Sequence, residues 1–114
     1  MRKLAKTFQA LSDTNRIRIL KMLEVRPLCV CEIKEILQLA NSTVSKHLSI
    51  LRNTEFILDE KVGKWVNYYL NDSEENTYIT DLLPLIAKWI PDEKVISDDR
   101  KKVDKVDRKM ICGR

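Results

Sequence analysis

The chain has 114 residues, enough for one small domain with a modest core, and it is basic without being extreme, with a net charge of +4 and a pI near 9.0. No stretch approaches the ~18 apolar residues of a bilayer span, and the basic start MRKLAKTFQALSD is not followed by the apolar run of a signal peptide, so no membrane role and a cytoplasmic location are expected. Three cysteines are an odd number for a reducing compartment, which argues against a disulfide framework and for thiols that bind metal or sense redox state.

Residues 2–10 form the first predicted helix, with Leu4, Ala5, Phe8 and Leu11 on one side. Ser12 and Asp13 are cap-type residues before a second helix over about Thr14 to Val25, in which Ile17, Leu20 and Leu23 recur at helical spacing. Pro27 ends it, because the residue before proline avoids the helical region. Leu28 to Leu37, LCVCEIKEIL, reads as a short third helix after an irregular entry. Leu39-Ala40 is a tight turn into a fourth helix, Asn41 to Thr54. Two short helices joined this way predict a helix-turn-helix whose second member reads DNA.

Phe56 to Leu70 follows, with strand formers on both sides of Val62-Gly63-Lys64. Glycine supplies the positive φ of a hairpin turn, so this segment is a predicted wing. Asp72 with Glu75 resembles a capping box opening a fifth helix that carries Tyr78, Leu82, Leu85, Ile86, Trp89 and Ile90; Pro84 should kink or split it. Helices one and five carry more apolar surface than one small core needs. They either complete the core or form a dimer interface, and the small size favours the dimer. After Pro91 charge dominates, and Val103, Val106 and Met110 keep helical spacing; a sixth helix and a disordered tail are both open. The predicted fold class is mainly α with a small β-hairpin, a dimeric winged helix-turn-helix. Residues 1–90 are the DNA-binding and dimerisation domain, and residues 91–114 the charged tail.

In Asn41–Thr54 the apolar Val44, Leu48 and Leu51 share one helix face. The other face carries Ser42, Thr43, Ser45, Lys46, His47, Ser49 and Arg52, and Asn41 or Ser42 is the candidate N-cap. Hydroxyls, an imidazole and two cations suit the major groove. The candidate DNA contacts are Asn41, Ser42, Thr43, Ser45, Lys46, His47 and Arg52, with Lys61 and Lys64 at the wing tip. The cations are assigned to phosphate, and Ser42, Thr43, Ser45 and His47 lie nearer the bases. For His47 a structural hydrogen bond inside the helix-turn-helix is an equal alternative. Residues 1–54 hold ten Lys and Arg against four Asp and Glu, whereas residues 55–90 hold three against seven. The basic excess thus travels with the reading helix, as a double-stranded DNA partner requires. A two-fold dimer would bind an inverted repeat. No Ser/His/Asp set, phosphate-cradling glycine loop or HExxH is present, so an enzyme is not expected.

Cys29-Val30-Cys31 lies at the N-terminal edge of the helix supporting the reading helix. A helix N-terminus favours the thiolate, which is the metal-binding form, and paired sulfurs select soft ions. Residues i and i+2 of a regular helix do not face each other. Both thiols can hold one ion only if this turn is non-helical or is distorted, and the distortion would move the reading helix.

With ALSDTNRIRIL, LCVCEI, STVSKHLSILR and VGKWVNYYL in this order, the chain resembles the ArsR/SmtB family of winged-helix metalloregulatory repressors from about Phe8 to Leu70. LCVC on the third helix resembles the type that senses trivalent arsenic and antimony. The resemblance implies an apo dimer that represses a resistance operon and leaves its operator on binding arsenite or antimonite, with Cys29 and Cys31 as ligands. The arsenic pattern's third cysteine falls here at Lys34, which makes Cys112 the remaining candidate sulfur, from its own tail or the partner's. The family's turn glycine after the reading helix is also missing, since the chain reads Asn53-Thr54-Glu55-Phe56. With one histidine, a fifth-helix zinc site is not expected. A redox switch through Cys29, Cys31 and Cys112, and a sensor of cadmium or lead, are the alternatives in the same fold.

Overall fold

The computed structural model describes residues 1–90 and 93–108. Its elements run α1 (Arg2–Ala10), α2 (Thr14–Leu23), β1 (Leu28–Cys29), α3 (Val30–Leu37), α4 (Asn41–Asn53), β2 (Ile57–Val62), β3 (Trp65–Leu70), α5 (Thr77–Lys88) and α6 (Lys94–Lys105). The core is built where the helical stripes converge. Ile19, Leu20 and Met22 of α2 meet Ile33 and Ile36 of α3 and Val44, Leu48 and Leu51 of α4, with Phe56 and Ile57 beneath the wing. This is a winged helix-turn-helix.

Helix α2 starts where Asp13 accepts hydrogen bonds from the Asn15 and Arg16 amides at 2.8 and 3.2 Å. Helix α3 ends at Gln38, whose left-handed backbone (φ 57°) turns the chain sharply into α4. The expected cap of α4 is not Asn41 or Ser42. Ala40 holds the N-cap position without a side-chain hydrogen bond, so the first amides of α4 stay open toward solvent.

The wing strands β2 and β3 pair from Ile57↔Leu70 to Val62↔Trp65, leaving a two-residue loop, Gly63-Lys64. Gly63 has φ +63° at the first loop position, where a type II′ turn needs it. The sequence reading missed β1. Leu28 and Cys29 pair antiparallel with Tyr68 and Asn67, so the sheet order is β1-β3-β2. A two-residue strand carries too little alternation to be seen in sequence.

The box expected from Asp72 and Glu75 does not open α5. Asn76 does, accepting from the Tyr78 and Ile79 amides at 3.1 and 3.4 Å, because the helix begins four residues later than that spacing suggested. Pro84 lies within a helix that continues through it to Lys88 and is not split. Lys94–Lys105 is helical and packs on α2 and α3. Met110, the last residue of that expected stripe, lies outside the described residues.

Charge holds α6 in place. Arg18 grips the buried Asp99 through two nitrogens at 2.8 and 2.9 Å, and Arg100 reaches Glu24 at 2.9 Å. Lys21 is buried, and its ammonium donates to the Ile86 and Trp89 carbonyls at the end of α5 and pairs with Glu24 at 3.1 Å. An ammonium is tolerated there because its protons meet fixed acceptors.

Candidate nucleic-acid interface and thiol-bearing turn

Helix α4 buries Val44, Leu48 and Leu51 and leaves Asn41, Ser42, Thr43, Ser45, Lys46, Ser49 and Arg52 exposed, so one polar face is presented as a unit. Lys61 and Lys64 are exposed on the wing, and the Lys64 ammonium lies 4.8 Å from the Trp65 ring centroid. Arg52 donates through Nε to Asp59 of β2 at 3.2 Å, which ties the reading helix to the wing.

His47 differs from its neighbours. Its side chain is 12% exposed, and its Nδ1 lies 3.2 Å from an Arg16 Nη1, which can only donate. On the other side Nε2 is 4.0 Å from Asp13. The structure thus gives His47 a hydrogen bond within the helix-turn-helix. Arg16 also donates from Nε to the Ala10 carbonyl at 2.7 Å and from Nη2 to the Gln9 carbonyl at 3.3 Å. One guanidinium therefore caps the end of α1 and holds the reading helix. Burial would raise the Asp13 carboxyl, but the Arg16 and Asn15 amides, His47 and the Arg16 charge outweigh it and hold it below the usual range. Sequence reading passed over Arg16; its signal was Asp-x-x-Arg at the opening of α2.

On the far side of α3 lies the cysteine pair. Cys29 is extended (φ −91°, ψ 169°), belongs to β1 and is the N-cap of α3, whereas Cys31 is inside the first turn. The two are thus not on one regular helix, which removes half of the geometric objection to their meeting. Cys29 is a buried free thiol, and Cys31 is disulfide-bonded. Cys112 lies outside the described residues. Among the described residues no group of three His, Cys, Asp or Glu side chains is placed to hold a metal ion.

The expectation of a lowered Cys29 pKa is overturned. Burial pushes the thiol up, and although the Glu32 amide favours the thiolate, the neighbouring Glu32 carboxylate opposes it. Cys29 and Glu32 form a reciprocal capping box, in which the Cys29 N–H donates to Glu32 Oε1 at 3.0 Å. The Cys-x-x-Glu spacing was the available signal, hidden because cysteine is not a usual cap.

A helix-turn-helix with an exposed polar second helix and a hairpin beside it that carries Lys61 and Lys64 at its tip defines a DNA-binding regulator rather than an enzyme. Comparison with known proteins gives the family. The sequence profile described as bacterial regulatory protein, arsR family, matches residues 13–58. The chain is 38% identical over 89 residues to the arsenical resistance operon repressor of Bacillus subtilis, covering 77% of this chain and 85% of that one. It is 41% identical over 69 residues to a cadmium resistance transcriptional regulatory protein CadC homolog of Staphylococcus aureus, covering 60% of this chain and 57% of that one. Reduced HlyU from Vibrio cholerae has a similar structure, with a TM-score of 0.65 at 27% identity, over 79% of this chain and 90% of that one. The protein belongs to the ArsR family of bacterial regulatory proteins. Among the described residues no helix is long and apolar enough to cross a membrane.

Proposed function

We propose that this protein is a cytoplasmic homodimeric repressor that holds an inverted-repeat operator with α4 and the wing, and lets go when trivalent arsenic or antimony engages its thiols. The observation that carries the reading is the position of Cys29 and Cys31 on the turn between β1 and α3. That turn abuts the helix supporting α4 and shares a sheet with the wing. Binding that pulls both sulfurs onto one ion acts on the junction where β1 meets the first turn of α3. Full reversal from 1:99 to 99:1 needs the ion to favour the DNA-incompetent form by ~5.5 kcal/mol. Cys112 is the proposed third sulfur. Exposed Leu4 and Phe8 on α1 and Tyr78 and Leu85 on α5 support the dimer, which sedimentation at micromolar concentration checks; a monomer there would count heavily against it.

The test is operator release against arsenite concentration for the reduced wild type and Cys29→Ser, Cys31→Ser and Cys112→Ser. The first two variants should keep DNA binding and lose the response, and the third should lose part of it. If Cys29→Ser and Cys31→Ser release DNA at the wild-type concentration, the ion is sensed elsewhere. A second reading, a thiol redox switch, is favoured by the disulfide at Cys31. Release by peroxide with no response to arsenite would select it, and release by cadmium or lead alone would select a divalent sensor.

A further inference from the structure

Glu32 is 2% exposed, and both of its carboxylate oxygens have partners. Oε1 accepts from the Cys29 N–H at 3.0 Å and from Arg108 at 3.2 Å. Oε2 accepts from Arg26 at 3.0 Å, and the same Arg26 nitrogen donates to the Val103 carbonyl at the end of α6.

Arg108 has a second neighbour. Its guanidinium carbon lies 5.2 Å from the centroid of the Trp65 ring. Trp65 opens β3, and two residues further on Asn67 pairs with Cys29. The contacts therefore close a circuit from Cys29 through Glu32, Arg108 and Trp65 and back along β3. An arginine suits this place because its edge can donate to a buried carboxylate while its flat face lies against an indole. A lysine is a point charge and cannot do both.

We propose that Arg108 is a positioning residue that joins the thiol-bearing turn to the wing, so that a change at Cys29 alters how firmly Trp65 and the Lys64 tip are held. This deepens the proposed function and rests on it for its biological use, because an ion at the thiols would then act on the wing as well as on α4. The junction itself is measured without any ion.

The reduced full-length Cys31→Ser protein is alkylated with iodoacetamide, and the rate at Cys29 is followed by mass spectrometry of its peptide. Trp65→Leu, on the wing, and Arg108→Gln should each speed alkylation at Cys29 by roughly three- to ten-fold, the size of coupling seen between residues in one network. The double variant should be no faster than the faster single, because either change opens the same circuit. Arg108→Lys should fall between wild type and Arg108→Gln. Unchanged thermal transitions would show that global unfolding is not what is read. No effect of Trp65→Leu on Cys29, or single effects that multiply in the double variant, would overturn the inference. An arsenite-insensitive wild type would sink the proposed function and leave this result standing.

Discussion

On the reading side of the molecule Lys46, Lys61 and Lys64 stand exposed, with no carboxylate in ion-pair range among the described residues. Where α6 crosses α2 and α3, by contrast, Arg18, Asp99, Lys21, Glu24, Arg26, Glu32, Arg100 and Arg108 are all paired, and Lys21, Glu32 and Asp99 are buried. The residue types are the same in both regions. The difference is solvent: an exposed cation is available to a phosphate and contributes little to folding, whereas a buried ion is part of the fold and cannot lose its partner cheaply. A charge count along the sequence mixes the two populations.

Substitutions separate them. Asp99→Ala leaves the partly exposed Arg18 with only its long contact to Asn15 and should cost about 3 kcal/mol, read as a lowered denaturation midpoint. A midpoint near wild type would mean the pair is not buried in solution. Glu55 lies on the border between the regions. It follows the C-cap of α4, and its φ is +68°. Its Lys3 partner is exposed at 3.9 Å. Glu55→Gly should therefore stabilise by about 1 kcal/mol, because relief of left-handed strain outweighs the added freedom of the unfolded chain. Destabilisation would show that the Lys3 contact matters more than the backbone.

Glu32 adds a pH dependence. Its folded pKa is lowered, so its contribution is present above the unfolded value near 4.5 and is lost as pH falls through the lower folded value. The stability difference between wild type and Glu32→Gln should be full at neutral pH and narrow below pH 4.5; a constant difference would contradict the ionised network. Lys64→Ala marks the smallest effect on folding, within about 0.5 kcal/mol. It should weaken DNA binding for all sequences alike and reduce the salt slope by about one unit. A loss confined to one operator would make Lys64 a specificity residue.

The four helices that carry strong apolar stripes and the Gly63 hairpin were legible because their periodicity is local. The polar face of α4 was legible for the same reason. The Cys29 protonation state was not, since burial beside Glu32 depends on α3, β3 and Arg108 coming together. Nor was the Arg16–His47 contact, which joins residues 31 positions apart. Asn76 was passed over for Asp72 because both are good caps and only packing decides where α5 starts.

The ion pairs on α6 also set an order of assembly. Arg18 meets Asp99 across 81 positions, and Glu24 meets Arg100 across 76. On a ribosome α2 emerges long before these partners exist, and its charged residues stay hydrated while α3, α4 and the wing are being made. The docking of α6 on α2 and α3 therefore comes late. Shortening the chain before Asp99 would leave a nascent species with the reading helix present and its foundation open to chaperones and proteases.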